Sequence, residues 1–144
     1  MKKQAGFSLV EILVVLVIMG LLVSVVAPTV LNRADDARVQ KVYADFANIQ
    51  TALKLYRLDN YVYPSSEQGL EGLVSVSTLT PEPRNFKQGG YLDRLPVDPW
   101  GNTYLYLSPG EHGEFDLYSL GADGLSGGES QSKDLGNWDG DTRE

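Results

Sequence analysis

The 144-residue chain contains no cysteine. Disulfides are thereby excluded, and so are thiolate metal sites and thiol nucleophiles. Histidine occurs once, as His112, beside Gly113 in a stretch that reads as a turn. A single imidazole leaves zinc sites and Ser-His-Asp chemistry with little to work from, and His112 reads as a loop residue. Basic residues are few: 12 Lys and Arg stand against 19 Asp and Glu, a formal net charge of −7. The deficit is uneven. Lys2 and Lys3 against Glu11 leave the first 27 residues at +1, and the remaining 117 at −8. Phosphate backbones need Lys/Arg patches, so nucleic acid is not expected as a partner. The surplus of carboxylates is compatible with divalent cations. No internal repeat is visible.

What the chain does have is one long apolar run. Residues 7–27, FSLVEILVVLVIMGLLVSVVA, are apolar apart from Ser8, Glu11, Gly20 and Ser24. As a helix at ~1.5 Å per residue the run spans roughly 31 Å, about one hydrocarbon core. A cleaved secretory signal has an apolar core of only about 7–15 residues. A plain signal anchor fits the length, with Lys2 and Lys3 held in the cytoplasm, but leaves Glu11 unexplained.

An ionisable group inside an apolar span is functional by default, and its partner has to be named. No Lys, Arg or His lies between Phe7 and Ala27. Cutting the chain between Gly6 and Phe7 would create an α-amino group at Phe7. That amine lies one turn from Glu11 in the same helix, and it could equally face Glu11 of the next subunit. Removing one partner of a charged pair in low dielectric costs roughly 3–5 kcal/mol, enough to set the register of subunits packed by their apolar helices.

Pro28 removes a backbone donor, so a kink is expected there. Beyond it the pattern turns amphipathic. Val39, Val42, Phe46, Ile49, Leu53 and Tyr56 succeed one another at spacings of 3, 4, 3, 4 and 3, one stripe of a helix. One long helix is therefore expected from about Phe7 to Leu58, its first half in lipid and its second half packed on a soluble domain. Asp59-Asn60 and Tyr63-Pro64 end it. Ser65-Ser-Glu-Gln68 has the form of a capping box and predicts a short helix through Leu70, Leu73 and Val74. Residues 77–90 read as loop, with Pro81, Pro83, Gly89 and Gly90. Thr103–Leu107 and Phe115–Leu120, separated by a Pro-Gly turn segment, predict an antiparallel hairpin. Residues 121–144 are rich in glycine and poor in apolar groups, a composition that reads as disordered.

Gly6-Phe7-Ser8-Leu9-Val10-Glu11 resembles the processing site of type IV pilins and type II secretion pseudopilins. The resemblance implies that a prepilin peptidase cuts between Gly6 and Phe7 and methylates the new Phe7 amine. It makes Glu11 the fifth mature residue. The six-residue basic leader, the apolar helix and Pro28 match the same pattern. Three further stretches resemble the major pseudopilin family of type II secretion: Leu95-Pro-Val-Asp-Pro-Trp-Gly-Asn-Thr-Tyr104, Asp116-Leu-Tyr-Ser-Leu-Gly-Ala-Asp123-Gly124, and Asp134-Leu-Gly-Asn-Trp138. Type IV pilins usually close this region with a disulfide, which a chain without cysteine cannot do.

Asp123 and Asp134 bracket a Gly-rich loop. Ca²⁺ takes about 6–8 oxygens from carboxylates and backbone carbonyls, and glycines let a loop turn its carbonyls inward. The residues alone leave a metal site and a solvated acidic tail both open. An EF-hand is excluded, because its acid spacing is missing. The family resemblance implies one Ca²⁺ held by Asp123 and Asp134, with carbonyls from near Leu120, Leu125 and Ser132; Glu129 is a possible substitute ligand. Trp138 is expected to anchor the end of the loop against the sheet. Asp98, Trp100, Tyr104, Tyr106 and Tyr118 admit a carbohydrate or hydrolase reading. Their strand-like alternation fits better with covering the long helix.

The expected fold is α+β and pilin-like, a long N-terminal helix packed on a small antiparallel sheet. The expected organisation is a leader at 1–6, a transmembrane and polymerisation helix at 7–28, and a periplasmic domain at 29–144 whose calcium loop covers about 120–138. The resemblance implies a non-enzymatic subunit of the inner membrane that polymerises in the periplasm to move folded exoproteins through the outer membrane. Its partners would be copies of itself, minor pseudopilins, the prepilin peptidase, the inner-membrane assembly platform and, before assembly, membrane lipid. A type IV pilin or minor pseudopilin is the alternative.

Overall fold

The computed structural model describes residues 7–139, without the side chains of 26–32. The expected leader, Gly6 included, lies outside the described residues. The chain falls into two compact units, residues 1–37 and 38–144. One helix, α1 (Leu9–Asn60), contributes to both and is assigned helical through Pro28.

In the first unit the apolar side chains of α1 are exposed on every side, from Leu9 to Val25. Ser24 donates its hydroxyl to the Leu21 carbonyl at 2.7 Å, which satisfies that polar group within the helix itself. Glu11 lies in the first turn, where the helix dipole favours a negative charge. It is exposed and has no ion-pair partner among the described residues. No helix among the described residues is long and apolar enough to cross a membrane. The expected span at 7–28 continues past Val25 into residues whose side chains are not described.

In the second unit the predicted stripe is the core. Val42, Phe46, Ile49, Leu53 and Tyr56 are buried against Leu70, Leu73, Tyr104, Phe115, Leu117 and Leu135, with Val39 partly buried at the margin. Each large apolar side chain removed from water contributes roughly 1.5–3 kcal/mol. Phe46 meets Tyr104 edge to face, with ring centroids 5.4 Å apart. Tyr104 donates to Asp45 at 2.7 Å, and Asp45 pairs with Lys41 at 2.6 Å. Burial, then the Asp45 carboxylate, pushes the Tyr104 phenol far above its usual range. Tyr106 donates to the Pro64 carbonyl at 2.8 Å, and burial pushes its phenol up to about 12.

The helix runs two residues past the expected Leu58. Asn60 turns back, donating to the Tyr56 carbonyl at 3.0 Å and accepting from the Asn85 amide at 2.8 Å. Tyr61 then takes the left-handed conformation, φ 67°, that commonly ends helices. The capping box is formed reciprocally: Ser65 N–H donates to Gln68 Oε1 at 2.9 Å, and Gln68 N–H to Ser65 Oγ at 3.2 Å. The element it opens, Leu70–Leu73, is a 3-10 turn rather than the expected helix through Val74.

The sheet has three antiparallel strands in the order β1 (Leu105–Leu107), β2 (Asp116–Ser119) and β3 (Leu135–Gly136). Leu105 pairs with Tyr118 and Leu107 with Asp116, the predicted hairpin. The third strand corrects the reading of the tail as disordered. Leu135 is buried in the core, and Asn137 locks the register. Its N–H donates to the Leu117 carbonyl at 2.9 Å, and its Oδ1 accepts the Leu117 N–H at 3.1 Å. A few anchoring side chains thus order a segment whose average composition is polar. Of the three tyrosines expected to cover the helix, Tyr118 instead lies 6.1 Å from Trp138.

Candidate functional site

The loop between β2 and β3 carries all the expected metal ligands. Leu120 comes directly after β2. Asp123 Oδ1 accepts the Leu125 N–H at 3.1 Å, a tight local turn. Leu125 is 67% exposed, and its side chain carries no ligand atom, so only its backbone carbonyl is of use to a site. Ser130–Ser132 form a 3-10 turn. Asp134 Oδ2 accepts the Gly127 N–H at 2.9 Å and the Ser126 hydroxyl at 3.5 Å. Asp134 Oδ1 is buried and has no hydrogen-bond partner among the described residues.

Contacts between the two arms of the loop bring the neighbours of Asp123 and Asp134 together. Ala122 N–H donates to the Gln131 carbonyl at 2.9 Å. A Cβ on Gly121 would stand 2.7 Å from the Gln131 oxygen and 2.9 Å from the Lys133 oxygen. Gly128 packs as closely against the Ser132 carbonyl. Asp123, Asp134 and the Ser132 backbone therefore belong to one folded loop. Among the described residues no group of three His, Cys, Asp or Glu side chains is arranged to hold a metal. The expected set, two carboxylates completed by main-chain oxygens, is of a different kind. It suits a hard cation with oxygen ligands.

A carboxylate oxygen buried without a partner is expensive, because burial strips its water and nothing replaces it. Asp134 Oδ1 is in that position, and a bound cation would satisfy it. The residues present therefore fit Ca²⁺.

Two arrangements beside the loop were not legible as sites. Asp98, a candidate for carbohydrate or hydrolytic chemistry, is 3% exposed, and both its oxygens are taken by Trp100, Asn102 and Ser119. Asp-Pro-Trp-Gly-Asn is a turn sequence in which Asp holds the backbone two and four residues on, and that was the available signal. His112 is in a loop, as expected, yet it is engaged. Its Nδ1 lies 3.0 Å from Asp116 Oδ2, and its ring stacks on Trp138 at 3.9 Å. Trp138 thus anchors the end of the loop through His112 and Tyr118.

The first 27 residues match the prokaryotic N-terminal methylation motif, and residues 29–138 match the family described as type II secretion system protein G. The chain belongs to the protein G family of type II secretion. Its relatives include the type II secretion system core protein G of Pseudomonas aeruginosa, 54% identical, covering 96% of this chain and 97% of the relative. That of Vibrio cholerae is 53% identical, covering 96% of this chain and 94% of the relative. Among solved structures, the major pseudopilin of the type 2 secretion system of enterohaemorrhagic Escherichia coli superposes with a TM-score of 0.69. It is 47% identical, covering 76% of this chain and 93% of that one. Membership decides for a major pseudopilin subunit over a type IV pilin or minor pseudopilin, and the α+β, pilin-like fold agrees with it.

Proposed function

We propose that the chain is cut between Gly6 and Phe7 by the prepilin peptidase, methylated at Phe7, and held in the inner membrane by its apolar helix with residues 29–144 in the periplasm. It is then withdrawn from lipid by the inner-membrane assembly platform and polymerises, with minor pseudopilins, into the pseudopilus that drives folded exoproteins through the outer membrane. The chain does no chemistry of its own.

The observation that carries this reading is Glu11, an exposed carboxylate with no ion-pair partner among the described residues, set in a helix whose apolar side chains are exposed all round. A second copy supplies what the helix lacks: apolar faces to cover it, and the Phe7 amine released by the cut to pair with Glu11. Replacing Glu11 tests this. Glu11→Ala is expected to abolish filaments while leaving processing intact. Filaments of Glu11→Ala at wild-type abundance would contradict the pairing.

Ca²⁺, when bound, would supply positive charge for Asp123 and Asp134 and cross-brace the two arms of the loop. Asp123, Asp134 and the carbonyls of Leu120, Leu125 and Ser132 would hold it. The buried, unpartnered Oδ1 of Asp134 supports this part of the reading. In a chain without cysteine, the ion would take the place of a disulfide as the staple of the C-terminal region.

A further inference from the structure

We propose that Asp98, Ser119 and Asn102 are positioning residues for calcium, fixing the peptide between Leu120 and Gly121 from outside the loop; this rests on the proposed calcium site. Asp98 Oδ1 accepts the N–H groups of Trp100 at 3.0 Å and Asn102 at 2.7 Å, and Oδ2 accepts the Ser119 hydroxyl at 2.7 Å. Ser119 is fully buried, and its single hydroxyl hydrogen goes to Asp98. Its oxygen is thereby turned into an acceptor for the Gly121 N–H, 3.2 Å away. Asn102, its own backbone held by Asp98, donates its side-chain amide to the Gly121 carbonyl at 3.2 Å. One buried carboxylate thus directs bonds to both polar groups of Gly121.

Peptide geometry carries the effect to the ion. The Gly121 N–H and the Leu120 carbonyl belong to one rigid, trans, planar unit and point in opposite directions. Pinning the N–H on Ser119 turns the Leu120 oxygen, an expected ligand, away from Ser119. The pinned residue also touches the far arm. Gly121 has φ +69°, and a Cβ there would stand 2.9 Å from the carbonyl of Lys133, the residue before Asp134. The spacing between the Leu120 oxygen and Asp134 is therefore set through Gly121. Outer groups that orient ligands in this way typically contribute about 10–100-fold in metal affinity.

The test is calorimetric titration of Ca²⁺ into the full-length chain in detergent, wild type against Asn102→Ala and Asp98→Asn, with thermal melts of each in EGTA. Asn102→Ala is expected to bind Ca²⁺ about tenfold more weakly or worse. Its melt in EGTA should stay within about 2 °C of wild type, a small stability change for a domain of this size. Asp98→Asn is expected to weaken binding at least as much; should it fail to fold, Asn102→Ala decides alone. Wild-type affinity in Asn102→Ala overturns the proposal, and so does weaker binding explained by a large loss of stability in EGTA. Absence of binding by the wild-type chain overturns the calcium reading itself, and this proposal with it.

Discussion

The rings of His112 and Trp138 lie 3.9 Å apart and 11° from parallel, with His112 Nδ1 3.0 Å from the buried carboxylate of Asp116. The only histidine in the chain therefore bridges the β1–β2 loop and the segment after β3.

Asp116 makes this arrangement sensitive to acid. Burial alone would raise its pKa. The hydrogen bond from His112 and those from the backbone of Glu111 and His112 outweigh that and hold the carboxyl below its ordinary value. A depressed carboxylate stabilises the fold above its unfolded pKa of about 3.9, and that contribution is lost as pH falls through the folded value. Asp116→Asn should be less stable than wild type at pH 7, by about 1.5–3 kcal/mol for hydrogen bonds to a charged group. The gap should narrow only below about pH 3.9. Denaturant unfolding of both chains across this range measures it.

Gly121 and Gly127 offer a matched comparison. Both have positive φ, 69° and 95°, but a Cβ at Gly121 would strike the Gln131 carbonyl while one at Gly127 meets nothing within 4 Å. Left-handed backbone costs a non-glycine residue about 1–2 kcal/mol. Gly127→Ala should lose about that much, and Gly121→Ala clearly more, because the far arm of the loop must also move. Thermal melts of the two variants give the order.

Calcium removal should act through the loop alone. A ligand that binds only the native state stabilises it by RT ln(1 + [L]/Kd), about 2.7 kcal/mol at a hundred times Kd. Adding EGTA should therefore lower the melting temperature of the wild-type chain. Asp134→Ala, which removes the buried, unpartnered oxygen, should melt at the same temperature with or without EGTA. A wild-type melt that EGTA leaves unmoved would remove the ion from the account.

Much of the fold was legible because its signals are periodic and local. Val42, Phe46, Ile49, Leu53 and Tyr56 announce a buried stripe by spacing alone, and Ser65 and Gln68 form the reciprocal bonds their spacing predicts. The third strand was not legible, because β3 is two residues long and depends on Leu135, Asn137 and Trp138 meeting partners distant in sequence. Asp123 and Asp134 stand out as acids around glycines. The roles of Asp98 and Asn102 do not, since they act on Gly121 across a gap that no sequence pattern spans. Glu11 is the opposite case. Its isolation is plain in the sequence, while its proposed partner belongs to a processed chain.

In the working protein, the apolar helix is proposed to begin at a new amine beside Glu11. Intact-mass measurement of the chain recovered from cells tests it most directly. One species is predicted, starting at Phe7 and carrying an added methyl group. A chain that retains Met1–Gly6, or one cut near Ala27 as a secretory signal would be, would contradict it.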